Sequence, residues 1–138
     1  MSARITINTL GYAGLIPFIV PAILVVVAAG DTDIAILIAE TYAFGIICFL
    51  TGSWWGMASG PGNRVVIVLS NVYFIIAFLL MLFAPSWWSL AASILLIGIF
   101  GLEQKRSLFP ALDGYYRNMR AILTLFSSSS MLVVHLAR

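Results

Sequence analysis

The sequence predicts an all-α integral membrane protein, a compact bundle of five transmembrane helices in one domain spanning residues 1–138. Composition is the first observation behind this. Hydrophobic residues make up 62% of the chain and charged residues 9%, whereas a soluble domain carries about 25% charged residues. The mean hydropathy is +1.10. A water-soluble domain of this size cannot hide that much apolar surface. The second observation is length. The apolar residues form runs close to the ~20 residues that cross ~30 Å of hydrocarbon. Charge is the third, because all the basic residues but Arg138 fall on one side of the division into spans.

Met1 to Thr9 reads as a short polar start carrying Arg4. It does not read as a cleavable signal, because the apolar run after it is too long for an h-region. The first span is placed at residues 10–29, with Pro17 and Pro21 in its middle. Each proline removes a backbone donor and crowds the preceding turn, so a kink is predicted. A neighbouring helix must then satisfy the freed carbonyls.

Gly30-Asp31-Thr32-Asp33 is an acidic turn in which Asp33 is the predicted helix cap. The second span covers residues 34–57 and contains Glu40, roughly 9 Å along the helix axis. An ionisable side chain at that depth is a candidate ligand or proton site. The same span ends in Trp54-Trp55, framed by Gly52 and Gly56. Gly45, Gly52 and Gly56 share one helical face and are the candidate helix-packing residues, because a face without side chains admits another backbone.

A Gly/Pro-rich loop from Ala58 to Asn63 leads through Arg64 to the third span, residues 65–83, in which Asn71 is the one strongly polar member. An amide there is expected to tie helices together. Trp87-Trp88 opens the fourth span, residues 87–102, as an interfacial aromatic pair. A polar connection follows, in which Asp113 is placed to cap the last helix. The fifth span, residues 119–137, carries Thr124, four serines from Ser127 to Ser130, and His135. Serines can bond back to the carbonyl one turn earlier, which lets such a helix span. The alternative is four spans plus an interfacial helix.

Arg4, Arg64, Lys105, Arg106, Arg117 and Arg120 lie on one side of this five-span division and Arg138 on the other. The positive-inside rule then puts the N-terminus in the cytoplasm. It also sorts the candidate sites into two layers. Glu40 and His135 lie toward the outside, as a pair able to share a proton. Trp54, Trp55, Arg64, Arg117 and Arg120 lie toward the cytoplasm, and the three arginines are candidates for binding anionic lipid headgroups. No metal site is predicted, since two ligands are too few. Cys48 is the single cysteine and is read as an inert buried residue.

Soluble-enzyme signatures are absent: there is no P-loop, Rossmann fingerprint, nucleophile elbow or HExxH. No basic surface domain points to nucleic acid. His135 is the only histidine, so a bis-histidine haem anchor within the chain is excluded.

Three stretches carry a family resemblance. They are Gly11-Tyr12-Ala13-Gly14-Leu15-Ile16-Pro17-Phe18, Phe49-Leu50-Thr51-Gly52-Ser53-Trp54-Trp55-Gly56-Met57-Ala58 and Tyr116-Arg117-Asn118-Met119-Arg120-Ala121-Ile122-Leu123-Thr124. In order and spacing the chain resembles domain-of-unknown-function family 3429, the transmembrane protein 69-like small membrane proteins. Relatives tend to have a glycine pair and then a polar or basic residue before the tryptophan. Here Thr51-Gly52-Ser53 precedes Trp54, which speaks against a ligand or proton role at that position. The resemblance implies a bacterial or mitochondrial inner membrane and supplies no activity. The expected protein is a non-enzymatic accessory subunit or assembly factor of a larger inner-membrane complex, multi-pass in the bacterial cytoplasmic membrane, without a cofactor. Membrane lipids and other integral membrane proteins are the expected partners. The alternative is a binder or carrier of a hydrophobic small molecule such as a quinone, tetrapyrrole or lipid.

Overall fold

The first span is broken where proline chemistry requires it. In the computed structural model, which describes residues 3–28, 31–57, 64–105, 109 and 114–138, helix α1 runs Ala3–Ala13 and helix α2 runs Ile16–Val27. The N-terminal residues from Ala3 onward are thus helical, and the span begins well before residue 10. Pro17 cannot donate to the carbonyl one turn earlier, and its ring crowds that turn. Accordingly α1 stops at Ala13, and Pro17 stands in the first turn of α2. The exposed carbonyl of Gly14 accepts a hydrogen bond from the Tyr42 hydroxyl at 2.9 Å. A neighbouring helix thereby closes the gap in the ladder. Helix α2 is capped by Ala28, which adopts the left-handed conformation at φ 51°.

Helix α3 runs Thr32–Met57. Its cap is Asp31 and not Asp33. Asp31 Oδ1 accepts from the backbone N–H groups of Asp33 at 3.0 Å and Ile34 at 3.2 Å, the second and third helical positions that a cap serves. Helix α4 runs Arg64–Phe83, a short 3₁₀ turn covers Pro85–Trp87, α5 runs Trp88–Glu103 and α6 runs Gly114–Ala137. Among the described residues, α1 with α2, then α3, α4, the turn with α5, and α6 make five segments long and apolar enough to cross a membrane. The expected caps and charges at Asp113 and Arg106 lie outside the described residues.

Helix α3 is the central element and packs against α2, α4, α5 and α6, while α4 sits at the edge on α3 and α5. The last apolar run is part of the bundle, packed on α2 and α5 with Met131 and Val134 fully buried. Its serines behave as helix-compatible groups. The hydroxyls of Ser127 and Ser128 donate to the Thr124 carbonyl and that of Ser130 to the Phe126 carbonyl. Ser93 on α5 donates across to the Ser128 carbonyl at 2.9 Å, so small side chains bring these two helices together.

The glycine face of α3 needs a correction. Gly45, Gly52 and Gly56 are exposed, and a Cβ added at any of them meets nothing within 4 Å. The inward face is instead the row Ala35, Ala39, Ala43 and Ile47, each at most 3% exposed. Both rows obey the same helical spacing. Alanine and isoleucine fill the core, and the glycines are left outward. Glycines that do admit a neighbour include Gly11 on α1, where an added Cβ would stand 3.2 Å from Met119 Sδ of α6, and Gly98 on α5, where it would stand 2.5 Å from the Tyr73 hydroxyl of α4. Gly98→Leu is therefore expected to destabilise the bundle by about 1–3 kcal/mol, the usual cost of overpacking. Gly45→Leu should stay within about 0.5 kcal/mol of the wild type. Unfolding midpoints in mixed detergent micelles compare the two, and equal midpoints would count against this packing.

Candidate functional site

Two tryptophan pairs mark the two ends of the bundle, and each divides in the same way. Consecutive helical residues point about 100° apart, so one tryptophan enters the core and the other leaves it. Trp54 is fully buried and Trp55 exposed; Trp88 is buried and Trp87 exposed. A buried indole N–H needs an acceptor, and each finds one on a glutamate.

At the first end, Trp54 Nε1 donates to Glu103 Oε1 at 3.1 Å. Glu103 is the last residue of α5 and is 1% exposed. Its other oxygen, Oε2, is ion-paired with Arg120 Nε at 2.9 Å. The carboxylate thus joins α3, α5 and α6. Arg117 closes the same end, since its Nη1 donates to the Glu103 carbonyl and its Nη2 to the Phe109 carbonyl, both at 2.9 Å. A cation at the carbonyl end of α5 is favoured by the helix dipole. Phe109 is buried against the Trp54 ring at 5.3 Å, and the Arg4 guanidinium lies over the Tyr115 ring at 4.0 Å.

These contacts change the reading of the arginines. Arg120 is 6% exposed and holds a carboxylate inside the protein, so it is not a headgroup cation. Arg117 is half-buried and occupied with backbone carbonyls. Arg64 alone of the three is exposed, at the start of α4. The basic pattern was visible in the sequence, but Glu103 was missed as its partner. A signal existed: a carboxylate in the last turn of a helix opposes the dipole, so its presence there points to a nearby cation.

At the other end, Glu40 does not pair with His135. Glu40 Oε1 accepts from the Ser89 hydroxyl at 2.5 Å and is ion-paired with Arg138. Trp88 Nε1 donates to the Glu40 backbone carbonyl at 3.0 Å. Arg138 also donates to the Pro85 carbonyl. His135 lies against the Trp87 ring at 5.5 Å, and its Nδ1 is buried without a hydrogen-bond partner among the described residues. Glu40 is therefore a structural tie between α3, α5 and the end of α6. Among the described residues, no three His, Cys, Asp or Glu side chains gather as metal ligands.

Glu40 and Arg138 line an open groove of about 570 Å³ with residues of α2 and the start of α3. Two other concave features hold residues singled out in the sequence. One is a cavity of about 400 Å³ among α1, α2, α3, α5 and α6, with Arg120 in its wall. The other is a shallow groove of about 220 Å³ between α3 and α4, lined by Gly52, Trp55, Ser70 and Asn71 among others. Asn71 is exposed, and its Nδ2 donates to the Ile67 carbonyl of its own helix at 2.9 Å. It does not tie two helices of this chain together. Trp54 and Trp55, adjacent in sequence, thus belong to different surroundings.

The model of a family described as protein of unknown function (DUF3429) matches residues 3–136. The chain belongs to DUF3429. No curated protein and no solved structure matches it. The match covers α1 to α5 and all but the last residue of α6, so the Glu103 tie and the cavity walled by Arg120 lie within this DUF3429 domain, while Arg138 of the Glu40 tie lies just beyond the matched residues.

Glu103 and Arg120 balance each other's charge in a buried setting, so removing one partner leaves the other uncompensated. Glu103→Gln is expected to cost about 3–5 kcal/mol. Glu103→Gln with Arg120→Gln should recover most of that, since two amides keep the hydrogen bonds without a charge. A double-mutant cycle on detergent unfolding measures this coupling, and additive losses would show that the pair is not coupled.

Proposed function

We propose that this protein is a small non-enzymatic subunit or assembly factor of a larger membrane complex, and that it meets the complex through the outward face of α3 and α4. The observation that carries the reading is the open glycine row beside an exposed amide. Gly45, Gly52 and Gly56 face outward with nothing within 4 Å of an added Cβ, and Asn71 stands at the edge of the Gly52 groove. Side-chain-free positions let a second helix approach closely. An amide roughly 10 Å along a spanning helix is costly against lipid tails, which offer no hydrogen bond, and a partner helix with a polar side chain relieves that cost. Trp55 adds a large apolar anchor beside the groove.

The basic residues support the same membrane setting. Arg4, Arg64, Lys105, Arg117 and Arg120 gather at the Glu103 end of the bundle, with Arg138 at the other. By the positive-inside rule this favours a cytoplasmic N-terminus in a bacterial inner membrane. Exposed Arg64 is placed to meet anionic headgroups at that surface.

Gly52→Leu and Asn71→Leu test the docking face, because neither position is packed inside this chain. Each variant should accumulate as a folded protein with an unchanged unfolding midpoint. Each should lose at least three-quarters of the membrane proteins that co-purify with the wild type in mild detergent. Unchanged co-purification in both variants would remove the face from consideration.

A further inference from the structure

The cavity at the Glu103 end has a chemistry of its own, independent of the docking face. Its wall is mostly apolar, with Phe18, Ile46, Leu96 and Leu123 contributing. Tyr42, Tyr116, Thr124, Ser127 and Arg120 supply its polar groups. The Tyr42 hydroxyl donates to the Gly14 carbonyl and the Ser127 hydroxyl to the Thr124 carbonyl. Arg120 is buried and only partly committed. Its Nε is taken by Glu103, yet its Nη2 is buried with no hydrogen-bond partner among the described residues. A buried guanidinium N–H without an acceptor is costly, and buried polar groups are nearly always satisfied. Here that donor belongs to a side chain in the wall of a cavity of about 400 Å³, within the ~300–1,000 Å³ of small-molecule sites.

We infer that this cavity binds an apolar molecule headed by a neutral hydrogen-bond acceptor, of the ketone or quinone carbonyl type, with the carbonyl oxygen accepting from Arg120 Nη2. Two features select that class. Glu103 already balances the Arg120 charge at 2.9 Å, so an anionic head would add an uncompensated charge in a low-dielectric site. A carbonyl satisfies the donor and adds none. The tail has a way out, because the exposed side chains of Leu10 and Phe49 also line the cavity and face the lipid side of the bundle. The head and the first part of a chain fit within, and the remainder lies along the membrane-facing surface of α1 and α3.

The test uses the full-length protein in mild detergent and three probes: decylubiquinone, palmitate and decylbenzene. Equilibrium dialysis should show saturable binding of decylubiquinone, with palmitate and decylbenzene at least tenfold weaker. Arg120→Lys keeps a cation for Glu103 but loses the second arm of the fork, and should weaken decylubiquinone binding by about tenfold or more. Ser127→Leu fills the cavity wall without touching the ion pair, and should abolish binding while the protein stays folded. It decides the matter on its own if Arg120→Lys does not accumulate. Gly52→Leu, on the other face, should bind as the wild type does. Non-saturable decylubiquinone uptake would overturn the proposal, and so would equal affinity for palmitate. Wild-type binding by Ser127→Leu or by a folded Arg120→Lys would do the same.

Discussion

The bundle depends on one buried carboxylate. Glu103 takes a hydrogen bond from Trp54 and an ion pair from Arg120, and its backbone carbonyl takes Arg117. Three separate spans are thereby registered at one point. In a membrane protein the apolar faces of helices gain little from meeting each other, because lipid is as apolar as leucine. Specific polar contacts and close packing must then choose among many similar arrangements. A carboxylate with a defined donor for each oxygen permits few of them. The Glu40 tie does comparable work at the opposite end, with Ser89, Arg138 and the Trp88 indole around it.

Close packing fills in what the polar ties begin. Between the two glutamates, α3 turns Ala43 and Ile47 inward, and α5 and α6 meet at Ser93 and Ser128. Small residues shorten the interhelical distance enough for the Ser93 hydroxyl to reach a backbone carbonyl of α6. The proline break in the first span belongs to the same scheme. It opens a carbonyl at Gly14 that Tyr42 of α3 closes, and it leaves α1 and α2 as separate pieces against α6. The cavity is bordered by both pieces, with Leu10 of α1 and Phe18 of α2 in its lining.

Hydropathy and length were enough to read five spanning segments, because those signals are sums over ~20 residues and tolerate local error. The side a helix turns inward was harder. In water an amphipathic pattern marks the buried face. In lipid both faces of α3 are apolar, so the glycine row and the alanine row were equally plausible packing faces. Pairings were also out of reach, for a different reason. Nothing within the span of Glu40 distinguishes His135 from Arg138, which end up on the same end of α6. Arg120 shows the same limit, since one residue type serves a headgroup or a buried carboxylate depending on which way its helix is rotated.

The buried pair also limits what the interior can accept. A neutral pair at the wall of an apolar cavity leaves its hydrogen-bonding capacity in place while its net charge is already cancelled. The arginine fork is suited to this, because Nε can serve Glu103 while an Nη stays directed elsewhere, whereas a lysine ammonium offers a single point charge. Had Arg120 faced a headgroup layer, its charge would have selected anions. Paired inside, it selects for the acceptor atom and against further charge. The ion pair that joins α5 to α6 thereby also sets the polarity of the space bordered by α1, α2 and α3. A change that disturbs helix registry there must alter that space as well.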